Sequence, residues 1–166
     1  RIRSKDTKPE MIVRKWLWSE GWHYRLYVKG FPGKPDIVLR KLNTVIFVNG
    51  CFWHGHNVQV DVTENGSCGV TELIDSDCCR VPHTNRDFWL QKITNNRLRD
   101  YNNYSAYHEA GWHVLVVWEC MLKPKQREQT LKALSVKLSS IFLDTLRKPK
   151  LYTIDDDDYV AIAAEE

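Results

Sequence analysis

No apolar run in this 166-residue chain approaches the roughly 20 residues that span a bilayer, and its Lys/Arg-spotted start carries no secretory h-region. A membrane or secreted protein is therefore not expected. With Arg1 first, the chain is expected to lack its natural beginning. There is no Gly-rich phosphate loop of either standard type and no internal repeat, and the length is too short for a barrel. Cysteine is modest and odd in number, five in all, which fits a complete disulfide framework poorly. Lys and Arg are wholly missing from residues 42–79. What is present, 43% hydrophobic and 27% charged residues, is ordinary for a folded globular chain that needs no disulfides.

The net charge of +3 conceals a pattern. Residues 1–41 balance to +7, residues 42–79 to −5, residues 80–150 to +7 and residues 151–166 to −6. Two basic blocks around an acidic stretch, with an acidic tail, suit a polyanionic ligand better than the total implies. A solvated surface produces such imbalance too, so charge alone makes nucleic acid plausible without establishing it.

Cys51 and His56 lie five apart in the run Cys51-Phe52-Trp53-His54-Gly55-His56, Cys78 and Cys79 follow a polar segment, and Cys120 succeeds the apolar run 114–118. Three cysteines and one histidine would make the closed tetrahedral set of a structural zinc site, although ordinary buried thiols are the alternative. Phe52 and Trp53 follow an apparent strand. On an extended segment neighbouring side chains point to opposite faces, so one core is not expected to take both rings. Apolar wedges that unstack bases are the functional alternative. His54 reads as a general base or as a satisfied surface histidine.

Thr7-Lys8-Pro9-Glu10 has capping-box form and opens a helix over about 9–20, stopping at Gly21. Residues 23–27 alternate weakly like a strand, and 30–35 form a Gly/Pro loop. Strands are expected at 37–39, 45–48 and 113–118, and helices at 86–109 and about 126–146. Phe88, Leu90, Ile93, Leu98 and Tyr101 give the first of these helices its apolar side, and Leu131, Leu134, Leu138 and Phe142 the second. Residues 57–80 read as an acidic insertion or loop without clear period. The order predicts an α/β sandwich around a mixed central sheet flanked by helices, one domain over 1–150 followed by an acidic tail, 151–166.

Pro35-Asp36 entering a strand, with another strand ten residues on, is the layout of a metal-dependent nuclease core. A carboxylate at a strand edge can hold Mg2+ against a scissile phosphate. As a bare pair, Pro-Asp is also a common turn element.

These segments together resemble the very-short-patch repair (Vsr) endonucleases of the Pro-Asp…Asp/Glu-x-Lys nuclease superfamily. The resemblance is carried by residues 2–10, 32–36 and 45–56, then by Pro82-His83-Thr84-Asn85, residues 88–93, Gly111-Trp112 and Val117-Trp118-Glu119-Cys120. It implies a restriction-endonuclease-like fold and a single-strand nick at a T:G mismatch left by deamination of 5-methylcytosine. It further implies Asp36 as the Mg2+ ligand, the main-chain carbonyl of Val48 as a second, His54 as general base and Glu10 as a water-mediated metal neighbour. Phe52, Trp53 and Trp89 resemble the intercalating wedge. Lys92 and Asn96 match positions that reach base edges, and Cys51, His56 and Cys120 match zinc ligands. Glu10 keeps two open roles, capping and metal shell, and Trp89 has a core alternative.

The chain departs from the pattern in two places. Asn49 stands where the family commonly has His; Asn can donate to a phosphate but cannot take up a proton or positive charge. The usual Cys shortly after His56 is missing, which leaves Cys79 or Cys78, or else Cys68, to complete the zinc set. The missing Glu-x-Lys is shared with Vsr. The resemblance implies double-stranded DNA and mismatch-repair proteins as partners, no membrane, a monomer, and a bacterial-type cytoplasmic, nucleoid-associated location. A Vsr-like restriction or homing nuclease with another target, and an inactive zinc-stabilised DNA-binding module, remain alternatives.

Overall fold

The computed structural model describes residues 5–62, 68–73, 78–82 and 84–147. The acidic tail 151–166, His83 and the side chain of Cys68 lie outside the described residues. Helix α1 (Lys8–Ser19) is followed by strand β1 (Ile37–Leu39), a 3₁₀ turn at Arg40–Leu42 and strand β2 (Thr44–Asn49). Strands β3 (Val58–Val62) and β4 (Cys68–Leu73) precede helix α2 (Arg86–Glu109). Strand β5 (His113–Trp118), a second 3₁₀ turn at Glu119–Leu122 and helix α3 (Pro124–Arg147) complete the order.

The result is an α/β structure. Its mixed three-stranded sheet has the order β1-β2-β5, with β1 antiparallel and β5 parallel to β2. Strand alternation divides the sheet cleanly. Ile37, Leu39 and Ile46 pack with Val13 and Leu17 of α1 and with Leu131, Leu134, Leu138 and Ile141 of α3. Val38, Val45 and Phe47 pack on the other face with Tyr107 of α2 and, at its margin, Tyr104 and Trp112. Each such aliphatic side chain, fully withdrawn from water, contributes roughly 1.5–3 kcal/mol. Helices on both faces therefore leave β2, the central strand, as the most protected place from which to aim functional groups.

Several expectations need correction. Residues 23–27 are not a strand. They form one isolated bridge, Arg25 to Val38, and Tyr27 adopts a left-handed φ of 53° that ends any extended run. Within 57–80, read as an acidic insertion or loop without clear period, strands β3 and β4 pair antiparallel, with an irregularity at Gln59/Val60. The signal was present, since Val58, Val60 and Val62 alternate with Gln59 and Asp61. On α3 the buried stripe is completed by Ile141, while Phe142 is exposed and meets Trp22 edge-on at 6.4 Å. On α2, Phe88 and Tyr101 are exposed, and the buried positions are Ile93, Thr94, Asp100 and Tyr107. That inward face carries polar atoms, for a reason the site makes clear. Among the described residues no helix is long and apolar enough to cross a membrane.

Candidate functional site

Asp36 is placed by the loop before it. Gly33 has φ +67°, which strains any larger residue, and a Cβ there would stand 2.7 Å from Nδ2 of Asn103 on α2 and force that side chain to move. Tyr107 ties the same loop down by donating to the Pro32 carbonyl at 2.8 Å. The Val48 N–H donates to Asp36 Oδ2 at 2.7 Å, which leaves Oδ1 as the open oxygen. Burial pushes the Asp36 carboxyl up to about 6; the Val48 N–H opposes this, and the nearby Glu10 carboxylate reinforces it. A carboxylate that costs free energy to ionise where it stands is suited to a cation that restores the lost solvation.

Asp36 shares one cleft with Thr7, Glu10, Val48, Asn49, Trp53, His54 and Glu119. Glu10 is buried at the first turn of α1. Thr7 Oγ1 donates to its Oε1 at 2.8 Å, while Arg14 donates to Oε2 at 2.6 Å and the Asp6 N–H to the same oxygen at 3.1 Å. The amide reached by the carboxylate is thus that of Asp6, not the Thr7 amide of an ordinary capping box. Capping and cleft lining coexist, because the group that fastens the helix end also borders Asp36.

The segment 51–57 is a compact turn rather than an extended strand exit, closed by His54 N–H to Gly50 O (3.2 Å) and His56 N–H to Cys51 O (2.9 Å). It sends His54 toward α2, where Nδ1 lies 2.6 Å from Asp100 Oδ2. A carboxylate at that nitrogen favours the Nδ1–H tautomer and leaves Nε2 with a free lone pair. Asn49, at the end of β2 and buried, donates from Nδ2 to the Tyr104 hydroxyl at 3.0 Å.

Because the backbone turns here, Phe52 and Trp53 do not diverge as an extended segment would require. Phe52 meets Trp53 and Trp89 at 5.2 Å each, and Phe88 meets Trp89 at 5.2 Å. The Lys92 ammonium stands 5.5 Å from the Trp53 ring and 5.7 Å from those of Phe88 and Trp89. Trp53 is 37% and Phe88 56% exposed, so these rings form a surface ridge, anchored where the partly buried Trp89 packs against the apolar cluster of Cys51, Cys79, Val81 and Ile93. Asn96 donates to the Trp53 carbonyl at 2.7 Å and accepts from Arg99 at 3.1 Å, so in this structure it holds the ridge in place.

Cys51, His56, Cys78 and Cys120 converge with all ligand atoms within 4.8 Å of one another. His56 Nδ1 lies 3.7 Å from Cys51 Sγ and 3.3 Å from the sulfurs of Cys78 and Cys120. Ligands of a tetrahedral Zn2+ would stand about 3.6 Å apart for this donor set, so the quartet fits such an ion. Cys79, the first choice from sequence, is not in the quartet and is buried with Val81 and Ile93 in the apolar cluster beside it. Trp118 stacks on the His56 ring at 4.2 Å. Burial holds the Cys51 and Cys120 thiols above the usual thiol range and the His56 imidazole below its own.

Sequence reasoning missed Asp100, Tyr104, Phe88 and Glu119 as members of these groups. An acid at the inward position of a helix was the available signal for Asp100, but it lies 46 residues from His54.

Comparison with known proteins gives a consistent picture. The family model described as DNA mismatch endonuclease Vsr matches residues 1–60. The chain is 46% identical over 125 residues to "Type II nicking enzyme V.NmeAIP" of Neisseria meningitidis serogroup A, covering 75% of this chain and 76% of that one. It is 39% identical over 140 residues to "Type II nicking enzyme V.XorIIP" of Xanthomonas oryzae pv. oryzae, covering 84% and 85%. It is 34% identical over 126 residues to "DNA mismatch endonuclease Vsr" of Escherichia coli K12, covering 76% and 69%.

Proposed function

The chain belongs to the Vsr family of DNA endonucleases, and on that premise we propose that it cuts one strand of double-stranded DNA beside a T:G mismatch, with Mg2+ in the cleft and Zn2+ in the Cys/His quartet. It is a DNA-cleaving enzyme. The restriction-endonuclease-like reading of its fold rests on helices covering both faces of a mixed sheet whose central strand ends at the cleft.

One observation carries the mechanism: an Asp-supported imidazole and a strand-edge carboxylate line the same cleft, His54 backed by Asp100 and Asp36 backed by the Val48 amide. Hydrolysis of a phosphodiester needs an activated water, a stabilised phosphoryl charge and a positioned backbone. His54 Nε2 takes a proton from water, whose oxygen bonds phosphorus as the bond to the departing sugar oxygen breaks. Asp100 keeps the imidazole in the tautomer that can accept that proton and stabilises the imidazolium that results. Asp36 Oδ1 and the Val48 carbonyl would hold Mg2+, which when bound acts as Lewis acid and charge clamp on the phosphate. Glu10, fixed by Thr7, Asp6 and Arg14, borders that position and can orient its water. The Asn49 amide donates to a phosphate oxygen without carrying charge.

Recognition follows from the ridge. Phe52, Trp53 and Trp89 enter the stack, at a cost of a few kcal/mol per opened step, a cost that is lower at a mismatch already weakened. On this reading Lys92 reaches base edges from the ridge, Asn96, bonded to the Trp53 carbonyl and to Arg99, supports it, and the two basic blocks supply phosphate contacts. Two of the relatives carry "nicking" in their names, which supports a single-strand cut. The test is cleavage of a supercoiled plasmid carrying a single T:G mismatch, with Mg2+, expected to stop at the open circle. Intact plasmid with firm binding would favour the inactive zinc-stabilised DNA-binding module.

A further inference from the structure

Helix α2 stands behind two of the residues that line the cleft, and the spacing of its contacts is regular. Asp100 and Tyr104 are four residues apart, one turn, and therefore side by side. Asp100 holds His54; Tyr104 holds Asn49. On β2, Phe47 and Asn49 share a face by the two-residue period, and the Tyr104 ring packs on Phe47 at 5.1 Å while its hydroxyl meets Asn49. Ring and hydroxyl thus have separate partners, one for packing and one for polarity.

We propose that Tyr104 is a positioning residue of the strand-cutting reaction, whose hydroxyl takes one N–H of the Asn49 amide and so fixes the orientation in which that amide meets the scissile phosphate. The proposal rests on the nuclease reading of the cleft. Its reasoning is geometric. An asparagine amide rotates about a broad, two-fold torsion, and its two ends have opposite polarity. Presented to a phosphate, the N–H end attracts and the carbonyl end repels. Asn49 is only 4% exposed and lines the cleft beside Val48, so its orientation is decided by protein neighbours rather than by water. Tyr104, anchored through its ring, is the neighbour that engages its Nδ2. Burial pushes the Tyr104 phenol up to about 12, so the partner stays a neutral hydroxyl throughout the range in which His54 and Asp36 do chemistry. Asn49 and Tyr104 form a pair beside the His54–Asp100 pair, both braced by consecutive turns of one helix.

The experiment is a double-mutant cycle on single-turnover cutting of a T:G duplex, with duplex affinity measured in parallel. Tyr104→Phe deletes the hydroxyl and keeps the ring on Phe47. It should lower the cutting rate about tenfold, the kinetic equivalent of one hydrogen bond, with affinity unchanged. Asn49→Ala should lower it about a hundredfold, as loss of a transition-state donor does. The double variant should be no slower than Asn49→Ala alone, because Tyr104 acts through Asn49. Wild-type speed in Tyr104→Phe, or a full further tenfold loss in the double variant, overturns the proposal while the nuclease reading stands. Wild-type protein that cuts no duplex overturns both.

Discussion

His54 Nδ1 lies 2.6 Å from Asp100 Oδ2, although 46 residues separate them and they stand on different elements, a turn after β2 and the middle of α2. The contact favours the proton on Nδ1 and so leaves Nε2 as the nitrogen that could accept one. Replacing Asp100 by Asn keeps the size but removes the charge that selects the tautomer and supports the imidazolium. The cutting rate should fall on the order of a hundredfold or more, with DNA affinity and zinc content unchanged. Single-turnover rates together with binding isotherms check this. A full-speed Asp100→Asn enzyme would remove His54 from the role of base.

Asp36→Asn should abolish strand cutting by orders of magnitude while DNA affinity persists, because the variant loses the charge that would hold the metal. The same change has a second, opposite effect on stability. The Asp36 carboxyl titrates near 6 in the folded protein, above its ordinary value of 3.8, and burial is the main cause. Below pH 3.8 the carboxyl is protonated in both folded and unfolded states and adds no penalty. As pH rises through 6 the folded state is left holding a poorly solvated charge. Without divalent metal, Asp36→Asn should therefore be the more stable protein at pH 8, by on the order of 2 kcal/mol, and equal to wild type near pH 3.5. Melts across that range with a chelator test the sign. Mg2+ should then stabilise the wild type only.

The quartet geometry separates two adjacent cysteines. Purified protein should contain about one zinc per chain, as one closed tetrahedral site demands. Cys78→Ser and Cys120→Ser should lose the metal and unfold or aggregate, since a structural zinc can account for on the order of 10 kcal/mol of folding free energy. Cys79→Ser should keep it and lose only some packing. Elemental analysis of the three variants decides the set. Zinc retained by Cys78→Ser but lost from Cys79→Ser would return the fourth ligand to Cys79.

Much of this architecture was legible in the chain, and the parts that were not share a physical cause. The α2 and β5 boundaries, 86–109 and 113–118, came directly from period and from Gly111. The Pro35-Asp36 strand entry and the Thr7/Glu10 cap were also legible, because each is a local pattern whose geometry is fixed within a few residues. Asp100 and Tyr104 were not legible, because they matter only through partners 46 and 55 residues away. The choice between Cys78 and Cys79 was closed to sequence for another reason. Cys78 lies in a turn, where adjacent side chains diverge, and composition does not say which of the two faces the ion. Phe52 and Trp53 misled through the assumption of extended backbone, when the chain turns from Gly50 onward.

Trp53→Ala should weaken binding to a T:G duplex more than to matched DNA, because only the first opens a step for the ring to fill. The salt dependence should stay nearly the same, as no charge is removed. Lys92→Gln, which removes a group assigned to a base edge, should likewise cost more on the T:G duplex than on matched DNA. Isotherms on both duplexes at two salt concentrations, with a melt of each variant, distinguish these effects. Equal losses for Trp53→Ala on both duplexes, with a lowered melting temperature, would make Trp53 a packing residue.

The central claim is that a mismatch selects where one strand is cut. The most direct measurement is cutting of two end-labelled duplexes, identical except for T:G against T:A at one position, with Mg2+ and resolved on a denaturing gel. A single cut in one strand of the T:G duplex is expected, with the matched duplex slower by about 10- to 100-fold, the range that one base pair's discrimination supplies. Equal rates on the two duplexes, or cuts in both strands, would contradict mismatch-directed nicking and leave a Vsr-like nuclease with another target.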